Sequence, residues 1–269
     1  MTAYGDISGS LLLLLGSFVG LFGTLVGAGG GFLLVPALIF LFPKESADRI
    51  TAISMAVVFC NALSGTIAYA RMGRVDFASG WRFAAAALPG AALGAFATQY
   101  MSRLIFDRAM GVTLILIAMY LLWQTFRHRS DSSHSSNVMD ETFVLSDKGR
   151  RIGAALSSGV GFVSSALGIG GGIVHVPALI YVLAYPVHIA TATSHFVLAW
   201  TSLAAVIEHM FHHSYLGNFS KTAAMATGAV FGAQVGARLS TKVNGPVILG
   251  GLAVAQGFVG FRILLRTFG

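Results

Sequence analysis

Ten apolar runs, parted by short polar or glycine-rich breaks, make up most of the chain. They fall at about 11–27, 31–42, 50–70, 83–101, 109–126, 152–169, 172–185, 189–211, 221–239 and 246–266. A helix needs about 20 residues to cross a bilayer. The third, fourth and fifth runs of each set of five qualify, but the second run of each set has only 12 or 14 residues. In the first set, the first two runs span 32 residues around a glycine cluster, where two crossings would want about 40. One crossing plus a broken or re-entrant piece is more economical. The pattern predicts an all-α polytopic membrane protein of about eight transmembrane helices, with a glycine-interrupted segment in each half.

The sets of five are two copies of one unit. Residues 27–39 read GAGGGFLLVPALI and residues 168–180 read GIGGGIVHVPALI, with nine of thirteen positions identical. The register continues with small gaps. Ala52 and Ser54 correspond to Ala192 and Ser194, Asp76-Phe77 to Asn218-Phe219, and Gly90 and Gly94 to Gly228 and Gly232. Shared apolar composition does not generate such a block, so internal duplication is the reading. Residues 1–126 form the first membrane repeat and 152–269 the second. Between them, 127–151 contains SDSSHSSN and reads as a polar, solvent-exposed connector on the cytoplasmic side. An even number of crossings per copy makes the copies parallel, and an odd number inverts them. Lys and Arg divide 11 to 6 across the membrane with four crossings per copy and 10 to 7 with five. Positive residues collect in cytoplasmic loops, so eight spans are narrowly preferred.

Composition excludes other classes. Hydrophobic residues make up 55% of the 269 and charged residues 10%, against about 25% charged in soluble domains. Nine of the charges lie in the connector, leaving too few to wet a soluble surface. The net charge of +7 fits cytoplasmic loops and anionic headgroups, with no nucleic-acid partner. The lone Cys60 forms no intrachain disulfide. The start, holding Asp6 and no basic stretch, suits a first membrane segment better than a cleaved signal peptide.

Gly29, Gly30 and Gly31, and again Gly170, Gly171 and Gly172, place a helix-breaking cost of about 1 kcal/mol per residue at the same point of both copies. The simplest account is a helix that stops and a short one that restarts, with Pro36 and Pro177 in the turns after the restart. Restarted N-termini expose free amides and the positive end of the macrodipole. Two interrupted segments at matching positions point to a transporter's central site. Facing N-termini would bind an anion; close helix packing through small residues is the competing account.

With the duplicated G-x-G-G-G…P-A-L block, TAIS at 51–54 and TATSH at 191–195 in view, the chain resembles the TauE/SafE sulfite exporter family over roughly 11–266. The resemblance implies a multi-pass protein of the bacterial inner (cytoplasmic) membrane, built from two related halves. It also implies a secondary carrier, usually an exporter, of sulfite or organosulfonates, with neither cofactor nor catalytic residues. The partners expected are the small anion and the lipid bilayer; a homodimer is the one assembly left open.

Polar residues inside spans are costly and default to functional hypotheses. Thr193, Ser194 and His195 gather donors beside the second glycine break, and His195 is the candidate carrier of a coupling proton, against a buried neutral histidine as the alternative. Its first-copy counterpart is Met55. Ser54 and Asn61 supply polar groups on the equivalent third segment, for binding or for interhelical bonding. His175, opposite Leu34, reads as a packing or supporting residue. In EHMFHH, Glu208, His209, His212 and His213 resemble one histidine box of a di-iron membrane oxidoreductase, but the remaining histidines form no second box, so no metal is expected. Neither glycine block continues into Lys-Ser/Thr, so no ATP site is present. A channel-like anion pore is the further alternative.

Overall fold

The computed structural model describes residues 8–128, 147–240 and 245–268. Among these residues every regular element is helical: α1 Gly9–Val26, α2 Gly31–Leu41, α3 Ala47–Arg71, α4 Phe77–Thr98, α5 Arg103–His128, α6 Asp147–Leu167, α7 Gly172–Leu183, α8 Val187–Phe211, α9 Phe219–Leu239 and α10 Gly245–Phe268. Each matches one apolar run, extended by a few residues because the caps are polar. Ser46 accepts from the Arg49 amide at 3.3 Å and Asp76 from the Ser79 amide at 3.1 Å, each satisfying a first-turn donor. Helices α5 and α6 reach into the two ends of the connector, whose residues 129–146 lie outside the described ones.

By length and composition α1, α3 and α8 suffice to cross a membrane. The other long helices are diluted with small residues whose contribution is close packing. In α9, Gly228 and Gly232 press on the backbone of α1 at Leu13 and Ser17, and in α4 Gly90 and Gly94 press on α6 at Ser158 and Phe162. A side chain at any of these positions would hold the helices apart.

Contact order along the helices gives their directions. Helix α1 runs parallel to α9, since Gly16 meets Met225 and Gly20 meets Ala229. Helix α3 is also parallel to α9: Ser64 bonds Val230 and Gln234, while Tyr69 packs near Ala237. Helices α1 and α3 therefore point the same way, and α2 must bring the chain back between them. By contrast α3 is antiparallel to α8, with Met55 near Ala205 and Gly65 against His195. Helix α5 is likewise antiparallel to α10, Gly111 facing Gly260 and Leu264 while Gly257 faces Ala118.

The ends are tied across the molecule. On one face the Tyr185 hydroxyl donates to Asp76 at 2.8 Å, and the Asp76 amide donates to Thr193 at 3.1 Å. On the other, His209 Nδ1 pairs with Asp48 at 3.0 Å, and Asn218 donates to Glu45 at 3.4 Å.

Candidate functional site

Both glycine blocks break the helix. Helix α1 ends in left-handed Gly27 (φ 83°), and α2 starts after Gly30 (φ 84°), a conformation that costs glycine alone nothing. In the second block α6 ends at Leu167 and α7 starts at Gly172. Pro36 and Pro177 lie inside α2 and α7, in their second turn.

The two breaks touch through backbone. A Cβ on Gly31 would fall 2.6 Å from the Ile169 carbonyl carbon, and one on Gly172 would fall 2.6 Å from Ala28 Cα and onto the Gly27 carbonyl oxygen. These two glycines are therefore packing residues as well as helix starts. Val58 of α3 and Leu198 of α8, both buried, close over the breaks: a Cβ on Gly29 would meet both side chains, and one on Gly170 would meet Val58 at 3.2 Å. The space directly between the glycine blocks is thus filled.

The free amides remain. The first backbone bonds of α2 run from Leu33 and Leu34 to Gly30, and those of α7 from Val174 and His175 to Gly171. Among the described residues, that leaves the amides of Gly30, Gly31 and Phe32, and of Gly171, Gly172 and Ile173, all in buried residues, without acceptors. A small cavity opens beside the second set. It has about 10 Å³ and is lined by Ser157, Ser164, Gly171, Gly172, His175 and Ser194, with Ala87, Val160, Gly161, Val197, Leu198 and Thr201 completing the wall. That is room for about one water. The Ser194 hydroxyl and His175 Nδ1 are buried without partners.

Of the residues marked from sequence, Gly171, Gly172 and Ser194 meet in this cavity. The others lie elsewhere. Ser54 donates to the Gly168 carbonyl at 2.6 Å and ties α3 to the second break. Thr193 accepts from the Asp76 amide near the end of α8. Asn61 accepts from Thr24 at 2.9 Å and keeps a free, buried amide nitrogen. His195 is fully buried between α3 and α8, edge-on to Tyr69 at 5.6 Å and against Gly65. Neither ring nitrogen of His195 reaches hydrogen-bond geometry; the carbonyls of Thr191 and Gly27 lie nearest as weaker electrostatic neighbours. Asn61, Thr24, Tyr69 and His195 thus form a second polar cluster, between α1, α3 and α8.

Ser157, Ser164 and Thr201 escaped the sequence reading, and His175 was read as a packing residue. Their one sequence signal is asymmetry between the copies. Gly16, Gly23 and Leu34 stand where the second copy has Ser157, Ser164 and His175, so the apolar half of the pair packs while the polar half lines a space.

The histidine box does not assemble. His209 turns to Asp48 and His212 to Glu208 at 3.1 Å. Among the described residues no three His, Cys, Asp or Glu side chains converge on a metal-sized site.

Comparison with known proteins points to membrane transport. The chain is 28% identical over 266 residues to the probable membrane transporter protein YunE of Bacillus subtilis, covering 94% of this chain and 96% of that one. A probable membrane transporter protein of Methanocaldococcus jannaschii is 26% identical, with 95% of each chain covered. One from Haemophilus influenzae is 29% identical over 62% of this chain and 59% of its own. No solved structure gives a significant match. The family model described as sulfite exporter TauE/SafE matches residues 12–263. With helices apolar enough to span a bilayer and a small cavity edged by serine and histidine side chains at a helix restart, the chain is a membrane-integral transporter belonging to the TauE/SafE sulfite exporter family.

Proposed function

We propose that the protein is a secondary carrier that exports small sulfur oxyanions, sulfite or organosulfonates, across the bacterial inner membrane, driven by protons or by the membrane potential. One observation carries this reading: Gly171 and Gly172, whose amides find no acceptor, and Ser194, whose hydroxyl is orphaned, line one small cavity. In lipid such groups cost free energy unless something accepts from them, and a trigonal oxyanion brings several acceptor oxygens to donors of this kind. The family description and the relatives' names support the transporter class. The cavity, at about 10 Å³, is far smaller than such an anion, which favours a carrier that must rearrange over an open pore. Asn61 and His195, in the second polar cluster, supply a second polar stop on the path.

In the same reading 1–126 and 152–269 are inverted halves. The antiparallel pairing of α3 with α8 and of α5 with α10 supports this. Each half then has three crossings and a hairpin, α1–α2 or α6–α7, that turns back at its glycines. The connector side carries ten Lys and Arg and the side of both termini seven, which favours a cytoplasmic connector.

Counterflow in proteoliposomes tests the site. Ser194→Ala should raise the half-saturating sulfite concentration about tenfold, the loss of one hydrogen bond to a charged group. Unchanged saturation in a folded Ser194→Ala protein would place binding elsewhere.

A further inference from the structure

The hydrogen bonds around His175 fix where its proton sits. The Ser157 hydroxyl lies 2.7 Å from the Gly153 carbonyl and 2.9 Å from His175 Nε2. A hydroxyl has one proton, and a carbonyl only accepts, so that proton belongs to the Gly153 contact. Nε2 must therefore be the donor toward Ser157. In the neutral ring this leaves Nδ1 as a bare lone pair, and no donor reaches it. Nδ1 belongs to a side chain that is 3% exposed and lines the cavity beneath the α7 N-terminus.

An anion entering this cavity meets donors from Gly171, Gly172 and Ser194, but on the His175 side it meets a lone pair. Oxygen facing an unprotonated nitrogen is repulsive. No Lys, Arg, Asp or Glu lines the cavity to compensate charge. The groups around the ring are Phe83 of α4, edge-on at 6.1 Å, Ser157 and Ser164 of α6, and Ser194 and Leu198 of α8, none of them titratable. His195, next to Ser194 in sequence, is packed on the α3 side against Gly65 and Tyr69. An uncompensated anion in such surroundings carries a large desolvation cost. A proton on Nδ1 removes both difficulties: it turns the lone pair into a charged donor and makes the bound pair neutral.

We infer that the cavity binds its anion together with one proton, held at Nδ1 of His175. The inference rests on the anion site proposed above and fixes its coupling ion. Anion and proton move as a neutral pair, so the flux depends on the anion and pH gradients and not on the membrane potential, and an outward anion gradient drives export. Leu34 at the matching position of the first copy limits the count to one proton per transport event.

Methanesulfonate is the probe, because it does not itself titrate near neutrality. Above neutral pH, in weakly buffered detergent solution with a pH indicator, wild-type protein should take up one proton per methanesulfonate bound. Its apparent affinity should fall about tenfold per pH unit. His175→Gln keeps an amide donor toward Ser157 and has nothing at Nδ1, so it should bind more weakly, without proton uptake and with a flat pH profile. Saturable wild-type binding without proton uptake overturns the inference while leaving the anion site intact, and so does a His175→Gln protein that still takes up a proton. Absence of any methanesulfonate binding to wild type overturns the anion site, and the inference with it. If His175→Gln does not fold, the wild-type proton count alone decides.

Discussion

Gly172→Ala tests the contact on which the central geometry depends. The added Cβ would lie 2.6 Å from Ala28 Cα and would also overlap the Gly27 carbonyl oxygen. Carbon atoms rest about 3.5–4.0 Å apart, so the two breaks would have to separate by about 1 Å. Both neighbours are backbone, and no rotamer change relieves the overlap. Overpacking costs about 1–3 kcal/mol, and a clash with rigid backbone belongs at the upper end, about 3 kcal/mol. At about 2–4 °C per kcal/mol for a chain near this size, the unfolding midpoint in detergent should fall by about 6–12 °C. Transport should be lost as well, because the displaced amide is one of the proposed ligands. Gly159 is the internal control: it lies within α6 with nothing within 4 Å of an added Cβ. Gly159→Ala should hold or gain about 1 kcal/mol through helix propensity alone. Tryptophan-fluorescence melts of both variants in one detergent decide the matter. A Gly172→Ala midpoint within about 2 °C of wild type, with full flux, would refute the backbone contact between the breaks.

Other substitutions probe the cover and the clasps. Leu198→Ala removes a buried side chain that lies over Gly29; it should cost about 2–5 kcal/mol and raise the flux of benzenesulfonate relative to methanesulfonate. Asp76→Ala removes both the α4 cap and the tie to Tyr185, and should lower stability by about 1–2 kcal/mol in thermal melts. Burial pushes the Asp76 carboxyl up, but bonds from Ser79 and Tyr185 outweigh it and hold its pKa below the ordinary 3.8. The stability this adds is complete above the ordinary carboxylate range and is lost as pH falls through the lowered folded value. Acid melts of wild type should therefore steepen below about pH 4, and Asp76→Asn should lack that component.

Much of the architecture is legible in the sequence, because lipid imposes one rule on every span: backbone groups must bond within the helix, and side chains must be apolar. The run at 172–185 becomes α7 and the run at 189–211 becomes α8 within a few residues. The glycine blocks break both helices for a local reason, since positive-φ residues, Gly27, Gly29 and Gly30 in the first and Gly168 and Gly170 in the second, end a helix wherever they stand. Helix direction is not local. Whether α2 continues outward from α1 or turns back depends on what Gly31 packs against, and that is Gly168 and Ile169, far away in sequence. A loop-charge balance of 11 to 6 against 10 to 7 is too small a difference to replace that information.

The candidate site divides on the same line. Residue type and spacing mark Gly171, Gly172 and Ser194 as donors near a break, and they do meet. Ser194 and His195 are equally conspicuous in TATSH, yet successive helical residues point about 100° apart. One lines the cavity and the other faces Gly65 and Tyr69. His175, Ser157 and Ser164 become a site only because α6, α7 and α8 converge with small residues between them. The sequence by itself determined the membrane solvent, the helices, their interruptions and the stock of buried donors, since these follow from composition and local backbone energetics. Tertiary structure alone decided helix direction, which donors share a space, and which lone pair is left without a proton, because each is set by contacts between segments distant along the chain.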